Sequence, residues 1–345
     1  MKIKKSALLK VLTPLTEGIA PTPILMEGEC FRFHDGTVSV YDGKLGYSCE
    51  LKGELESLSS LDVFVNSNLL LKILRQIKSK NVMLEVDGDE LVIKGKRNKG
   101  AVVAERFTTV FPAIPSTDPI DLPDKFCDGV NACQISVGGN NDNRNVLETI
   151  HFKDNFLEST NGRQASHYSF DLETSQPCWE DFCLSGENLA TVTKHDIKSM
   201  SVAPAHVFFF TESYVIVVNR ITVESGAYPN VSGLFFESDR KIVFDKDTVD
   251  ALNLSKVFKE DFEETSWLKV NVDSHFQMMT ASNSKGWFEF KAKKEAGDDL
   301  GIAFNPDFLK PILKYTNVGE VNENNTAITF HCDGFTYLFA LLRKD

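Results

Sequence analysis

The chain has 345 residues, 42% of them hydrophobic and 25% charged, and a formal net charge of −12. That is enough apolar material for two or three packed domains, and it excludes a disordered chain. No run approaches the roughly 18 consecutive apolar residues of a membrane helix, and the basic start, MKIKKSALLKVLTPL, has neither the apolar core nor the small-residue site of a leader, so neither is expected.

Read from its start, the chain opens on a predicted helix at about 4–16. A hairpin follows, Val38-Ser-Val-Tyr-Asp-Gly-Lys-Leu-Gly-Tyr47, turning at Asp42-Gly43, where the glycine supplies the positive φ that such turns need. Val65-Asn-Ser-Asn-Leu69 places Asn before a second helix, whose apolar positions are Leu70, Ile73, Leu74 and Ile77. Strands Val82–Val86 and Leu91–Lys94 join at Asp87-Gly88, and Phe111-Pro112 closes the segment in extended chain. The same order then returns. A helix at about 129–137 precedes Leu157-Glu-Ser-Thr-Asn-Gly-Arg-Gln-Ala-Ser166, a hairpin turning at Asn161-Gly162. Leu184-Ser-Gly-Glu-Asn-Leu189 opens a helix, strands Val207–Phe210 and Tyr214–Asn219 follow, and Tyr228-Pro229 ends the second unit. A third pass has a helix at 247–258, a looser turn in Phe276-Gln-Met-Met-Thr-Ala-Ser-Asn-Ser-Lys-Gly286, and Phe304-Asn-Pro-Asp-Phe-Leu309, with Leu309, Ile312 and Leu313 at helical spacing.

These copies recur at intervals of 119 and 120 residues for the capped helices, 119 for the hairpin glycines and 117 for the aromatic-Pro pairs. Three elements repeating in order at one spacing identify an internal repeat. The fold class is α+β, with three similar domains at 1–117, 118–236 and 237–345, each with two helices on antiparallel sheets.

Charge is uneven along this repeat. The helical segments 1–16, 66–80, 129–145, 185–200, 245–259 and 306–316 together carry +9, so the remainder carries −21. Segment 66–80 has Lys72, Arg75, Lys78 and Lys80 and no acid, and the first three recur at three-residue steps on a face opposite the apolar stripe. A charge run is usually a solvated helix face. Within a threefold repeat it instead suggests an acidic body that holds a polyanion on basic helices.

Catalytic signals fail. Gly138-Gly139 lacks the Lys-Ser/Thr of a phosphate loop, and seven His residues show no HxH or HExxH pattern. His195-Asp196 is expected to face solvent on a helix. Phe208-Phe-Phe210 is expected to be core or a groove wall. Seven scattered cysteines, Cys30, Cys49, Cys127, Cys133, Cys178, Cys183 and Cys332, show no CxxC, which suits buried thiols in a reducing, cytoplasmic setting. No enzyme activity, metal or cofactor is expected.

Over almost its whole length the sequence resembles the bacterial DNA polymerase sliding clamp, the β subunit of the replicative polymerase, in a divergent or phage-like version. The residues that carry the resemblance are Lys2–Leu12, Val65 through Phe111-Pro112, Thr160-Asn-Gly-Arg-Gln-Ala165, Phe304-Asn-Pro-Asp-Phe-Leu309 and Tyr337–Arg343. The resemblance implies a DNA clamp fold, closed as a ring by a head-to-tail homodimer that encircles double-stranded DNA without reading its sequence. It implies a clamp loader and a DNA polymerase as partners, no membrane, and a cytoplasmic place in a bacterium or a phage-infected host. Residues facing DNA would be Lys10, Lys72, Arg75, Lys78, Lys194, Lys198, Lys310 and Lys314, with Arg144 on a lining loop; Ala20 stands where the family often has Arg. A groove for partner peptides would be formed by Leu147, Thr160, Gly162, Arg163, Gln164, Pro229, Asn305, Phe308, Leu341 and Arg343. Asn230-Val-Ser-Gly-Leu234 and Ala340-Leu-Leu342 depart from the family's basic stretch and Met-Pro-Met ending, which implies an altered preference or a cognate polymerase. The dimer would join the edge near Ala101–Phe107 to the region of Leu254–Phe258. The alternative is a clamp-like scaffold that presents the groove without encircling DNA.

Overall fold

The computed structural model describes all residues except 1, 20–25, 108–110, 117, 140–144, 172–178, 223–227, 246, 258–267, 273–275, 284–285, 294–298 and 343–345. A short strand β1 (Ile3–Lys4) runs into α1 (Lys5–Leu15), whose Leu8, Leu12 and Leu15 lie one helical face apart and are fully buried. Strands β2 (Cys30–His34), β3 (Thr37–Tyr41), β4 (Leu45–Glu50) and β5 (Val63–Asn66) lead to α2 (Ser67–Gln76). The Asn66 carboxamide accepts from the Leu69 amide at 3.0 Å, satisfying one of the free donors that start the helix. β6 (Asn81–Asp87), β7 (Glu90–Lys94), β8 (Lys99–Glu105) and β9 (Ile120–Asp121) follow.

Next come α3 (Phe126–Cys133), β10 (Thr149–Asp154), β11 (Phe156–Thr160), β12 (Gln164–Ser169), β13 (Trp179–Ser185) and α4 (Gly186–Val192). β14 (Ser199–Val202), β15 (His206–Phe210), β16 (Val215–Ile221), β17 (Lys241–Val243) and α5 (Thr248–Val257) continue the chain. It finishes with β18 (Leu268–Val272), β19 (Phe276–Asn283), β20 (Gly286–Lys293), β21 (Leu300–Phe304), α6 (Pro306–Leu309), β22 (Val318–Val321), β23 (Ala327–Cys332) and β24 (Phe335–Ala340).

The chain forms two units, Met1–Leu122 with Glu187–Ile221, and Pro123–Gly186 with Thr222–Asp345. In the first, antiparallel pairing gives an eight-strand order β5-β2-β3-β4-β16-β15-β14-β9. A second sheet runs β1-β6-β7-β8. In the second unit the order is β13-β10-β11-β12-β24-β23-β22-β17. Its other sheet runs β20-β19-β18-β21. The two eight-strand orders match element for element, as the repeat requires. The hairpin glycines, Gly43 at φ 92 and Gly162 at φ 82, occupy the same turn in each.

Three helical expectations need correction. The helix expected at 129–137 begins at Phe126 and tightens to a 3₁₀ turn over Gln134–Ser136. The segment expected to be helical over 185–200 leaves helix at Val192, so Lys194 and Lys198 stand on a turn and loop. The segment 306–316 is four residues of helix followed by a 3₁₀ turn over Ile312–Lys314, because Pro311 has no amide with which to continue the ladder. Phenylalanine, 26 residues in all, fills both cores. Phe152 stacks on Phe182 at 4.7 Å, and Phe339 meets Phe304 and Phe330 at 5.4 and 5.6 Å. Each fully buried ring stabilises its unit by roughly 1.5–3 kcal/mol.

Candidate nucleic-acid interface and partner groove

In the first unit, α1 and α2 pack together through their apolar faces. Leu70, Leu71 and Leu74 are buried, which leaves Lys72 and Arg75 exposed on the opposite side of α2, with Lys10 exposed on α1. Lys78 is exposed but lies beyond the end of α2, where Ile77 is extended; it flanks the helix face rather than sharing it. Lys194 is exposed. Lys198 is exposed too, and donates to Asp196 at 2.7 Å, a hydrogen bond that raises its pKa and offsets its charge locally. In the second unit, Lys310 Nζ donates to Asn253 Oδ1 at 3.3 Å, and Lys314 Nζ lies 4.8 Å over the Tyr315 ring. Arg144 and Ala20 lie outside the described residues.

Nine of the ten predicted groove positions are described, and all nine belong to the second unit. The seam between β12 and β24 brings two of their segments together: Gln164 pairs with Phe339 and Ala165 with Leu338. The Thr160 hydroxyl donates to the Gln164 carbonyl at 2.7 Å and accepts from the Gly162 amide at 3.1 Å, fixing the turn. The Gln164 carboxamide donates to the buried Tyr337 hydroxyl, which donates to the Phe308 carbonyl at 2.8 Å. Burial raises the Tyr337 pKa and the Gln164 hydrogen bond lowers it, with burial prevailing. One relay thus ties the Thr160–Gln164 turn to α6, where Asn305 caps by accepting from the Asp307 amide at 2.9 Å.

The Ala340 amide donates to the Arg163 carbonyl at 2.8 Å, holding Leu341 beside that turn. Val231, two residues after Pro229, is buried with Ala165 and Leu338, and half-buried Tyr228, Phe235 and Phe236 pack around them. Leu147 is buried, and its carbonyl accepts from the Gly138 amide at 2.6 Å. Arg163 and Gly162 are exposed, and Arg343 lies outside the described residues. The result is a partly apolar surface rimmed by polar groups, the composition of a peptide-binding cleft.

Sequence reasoning did not place the side chains of Tyr337, Val231 or Tyr228 in the groove. It also missed two buried polar clusters. His195, expected in solvent on a helix, is instead buried on a turn: its Nε2 lies 2.9 Å from the Tyr47 hydroxyl and 3.3 Å from Glu17, and its Nδ1 lies 2.9 Å from the Tyr214 hydroxyl. Burial lowers its pKa, against the pull of Glu17. In the second unit, cross-strand pairing aligns His151, Glu158 and His167. His151 faces Glu158 at 2.8 Å and Asp181 at 2.6 Å, and Tyr228 stacks on its ring at 4.3 Å. Among the described residues no group of three or more His, Cys, Asp and Glu is arranged to hold a metal, and no helix is long and apolar enough to cross a membrane.

The fold is that of bacterial sliding clamps. A DNA polymerase III beta subunit from Pseudomonas aeruginosa matches with a TM-score of 0.84 at 14% identity, over 100% of both chains. The DNA polymerase sliding clamp of Bacillus subtilis matches at 0.83 and 11%, covering 100% of this chain and 99% of that one. The beta chain of DNA polymerase III from Streptococcus pneumoniae matches at 0.84 and 14%, over 99% of each. No family model matches the chain. No curated protein matches it either.

Proposed function

We propose that this chain is a DNA sliding clamp, a processivity factor that encircles duplex DNA and tethers a replicative polymerase. The observation that carries the reading is likeness to solved clamps along the full length of both chains. Exposed cations on α1 and α2 support a lining that meets phosphates, and the gathering of nine predicted residues on one unit supports a groove for polymerase and clamp-loader peptides. The function is binding and not catalysis, in the cytoplasm of a bacterium or a phage-infected host.

The three domains, 1–117, 118–236 and 237–345, would close head to tail with a second copy. Two surfaces suit that closure. β8 pairs with β7 through Lys99–Val103 and with β5 only at Ala104–Glu105, and its Val103 is 63% exposed. On α5, Leu254 and Val257 are exposed, near the region expected to meet β8, and β20 is an outer strand carrying an exposed Trp287. Open strand edges with apolar side chains ask for a partner.

Retention on closed circular DNA after loading, compared with the same DNA made linear, tests encirclement. A ring is retained on the circle and lost from the linear form. Replacing Lys72 and Arg75 by Ala is expected to speed loss from the circle and flatten its salt dependence. Indifference to free ends would instead favour a clamp-like scaffold, a reading that the −12 charge and the Lys198–Asp196 pair favour. Leu341→Ala is expected to weaken polymerase recruitment, read as shorter synthesis runs, without changing retention on the circle.

A further inference from the structure

Beneath the end of α2 the first unit holds a cleft of about 760 Å³, lined by Lys2, Lys78, Lys80, Lys94, Lys96 and Arg97 and by no carboxylate. Only Lys78 among these belongs to the cations expected to face DNA. In a chain of net charge −12 this is an unusual concentration of one sign. Five of the six cations are exposed, and Lys94 is paired with Glu85 on the neighbouring strand.

The walls are fixed. β1 pairs with the start of β6, Ile3 opposite Val82 and Lys4 opposite Asn81, which brings the first residues to the cleft. The Lys5 amide donates to the Lys80 carbonyl at 2.9 Å, and the Lys5 ammonium donates to the Ile77 carbonyl at 2.6 Å. The hairpin after β7 closes through the Gly95 amide and the Asn98 carbonyl at 2.8 Å, and the Lys96 amide donates to the Ser79 hydroxyl at 2.7 Å. A side chain at Gly95 would come within 2.9 Å of that hydroxyl, so glycine permits the approach of hairpin to loop. Gln76, Ser79, Asn81 and Asn98 add neutral hydrogen-bonding groups beside the cations.

Like charges held this close repel one another, and a multivalent anion relieves that repulsion. We propose that this cleft binds a ligand with consecutive phosphates, separately from the outer face of α2. Ammonium and guanidinium groups with amide and hydroxyl donors are the complement of such phosphates. The chemistry is shared by two sources, the backbone of a single nucleic-acid strand and a free polyphosphate such as a nucleoside triphosphate.

The test uses the full chain, unloaded, with a labelled single-stranded 12-mer read by fluorescence anisotropy and with inorganic triphosphate as competitor. The variant K80E/K96E/R97E alters three exposed side chains, and circular dichroism checks its fold; K72E/R75E is the control on the helix face. The expected result is at least a tenfold loss of affinity in the cleft variant, a smaller loss in the control, and a salt slope reduced by about 2, since each strand phosphate contact contributes about 0.7. Displacement by equimolar triphosphate assigns the site to a free polyphosphate; resistance to it assigns the site to a strand. Equal binding of either probe by wild type and the folded cleft variant would overturn the proposal. So would a cleft variant that changes only the oligomeric state, since an acidic segment of another copy would then be the occupant. Retention on circular DNA is a separate measurement, so failure of the clamp reading leaves this result standing.

Discussion

The seam between β4 and β16 in the first unit and that between β12 and β24 in the second come from the same place in the repeat, yet they are finished differently. At the first, Gly46 faces Val217, and the Tyr41 ring fills the space a side chain would take: a Cβ on Gly46 would lie 2.7 Å from it. Tyr41 then meets Phe111 edge to face at 6.1 Å and donates to Asn219 at 2.7 Å. One repeat later, Tyr41 becomes Thr160, Gly46 becomes Ala165 and Phe111 becomes Tyr228. The ring is gone, and half-buried Tyr228, Phe235 and Phe236 surround Ala165, Val231 and Leu338 instead. A repeat can thus keep its strand order while one seam is closed by the Tyr41 ring and the other by a cluster that half-buried Tyr228, Phe235 and Phe236 pack around.

The largest effect should come from removing the buried ring that anchors each seam. Tyr47→Ala and Tyr337→Ala are each expected to cost about 3–5 kcal/mol in urea denaturation. The second should also abolish binding of polymerase peptides, and the first should not. Tyr337→Phe keeps the packing but strands the Gln164 amide and the Phe308 carbonyl, at about 1–3 kcal/mol. A neutral Tyr337→Phe would mean that the relay does not hold the turn. Next in size, Gly46→Ala should cost about 1–3 kcal/mol, because the added methyl meets the Val40 carbonyl oxygen at 2.8 Å as well as the Tyr41 ring. Ala165→Gly removes a buried methyl from the cluster with Val231 and Leu338 and should cost about 1 kcal/mol, mostly through backbone entropy. If the two exchanges cost the same, the seams are equally packed and the contrast fails.

Much of this was legible in the sequence, for identifiable reasons. Asp42-Gly43 and Asn161-Gly162 fixed hairpins because positive φ is a local demand, and both turns stand where they were expected. Asn66 and Asn305 marked helix starts because capping is equally local. Helix ends were less legible. The ladder stops at Val192 and again before Pro311, although charge and apolar spacing ran on. The groove residues came as scattered positions carried by resemblance, and nothing local reveals that a β12–β24 pairing joins Gln164 to Tyr337 across 173 positions. His195 was misread for the same reason. Its partners Glu17, Tyr47 and Tyr214 are brought to it by tertiary pairing, so a histidine next to an aspartate looked like a solvated surface pair.

The two buried histidines give the smallest predicted effect and the sharpest contrast, because their signs are opposite. His195 is held below its ordinary value of 6.5, first by burial. The unfolded chain then takes up protons more readily than the folded one, so this group's contribution is full above pH 6.5 and falls as pH drops below it. His151 loses affinity for protons through burial, but hydrogen bonds to Glu158 and Asp181 outweigh that and raise it above 6.5. Its contribution is full below 6.5 and is lost as pH rises through the folded value. Burial would raise Glu158, but His151 and His167 draw it below its usual 4.5, so its own contribution holds above 4.5 and is lost only in stronger acid. Between pH 7.5 and 5.5, β4 and β16 should therefore become less protected, and β10 and β11 more protected, in amide exchange corrected for the intrinsic pH effect. His195→Gln should remove the first trend and His151→Gln the second. Parallel trends in the two units would mean that the histidines do not set them, and that general charge repulsion governs both.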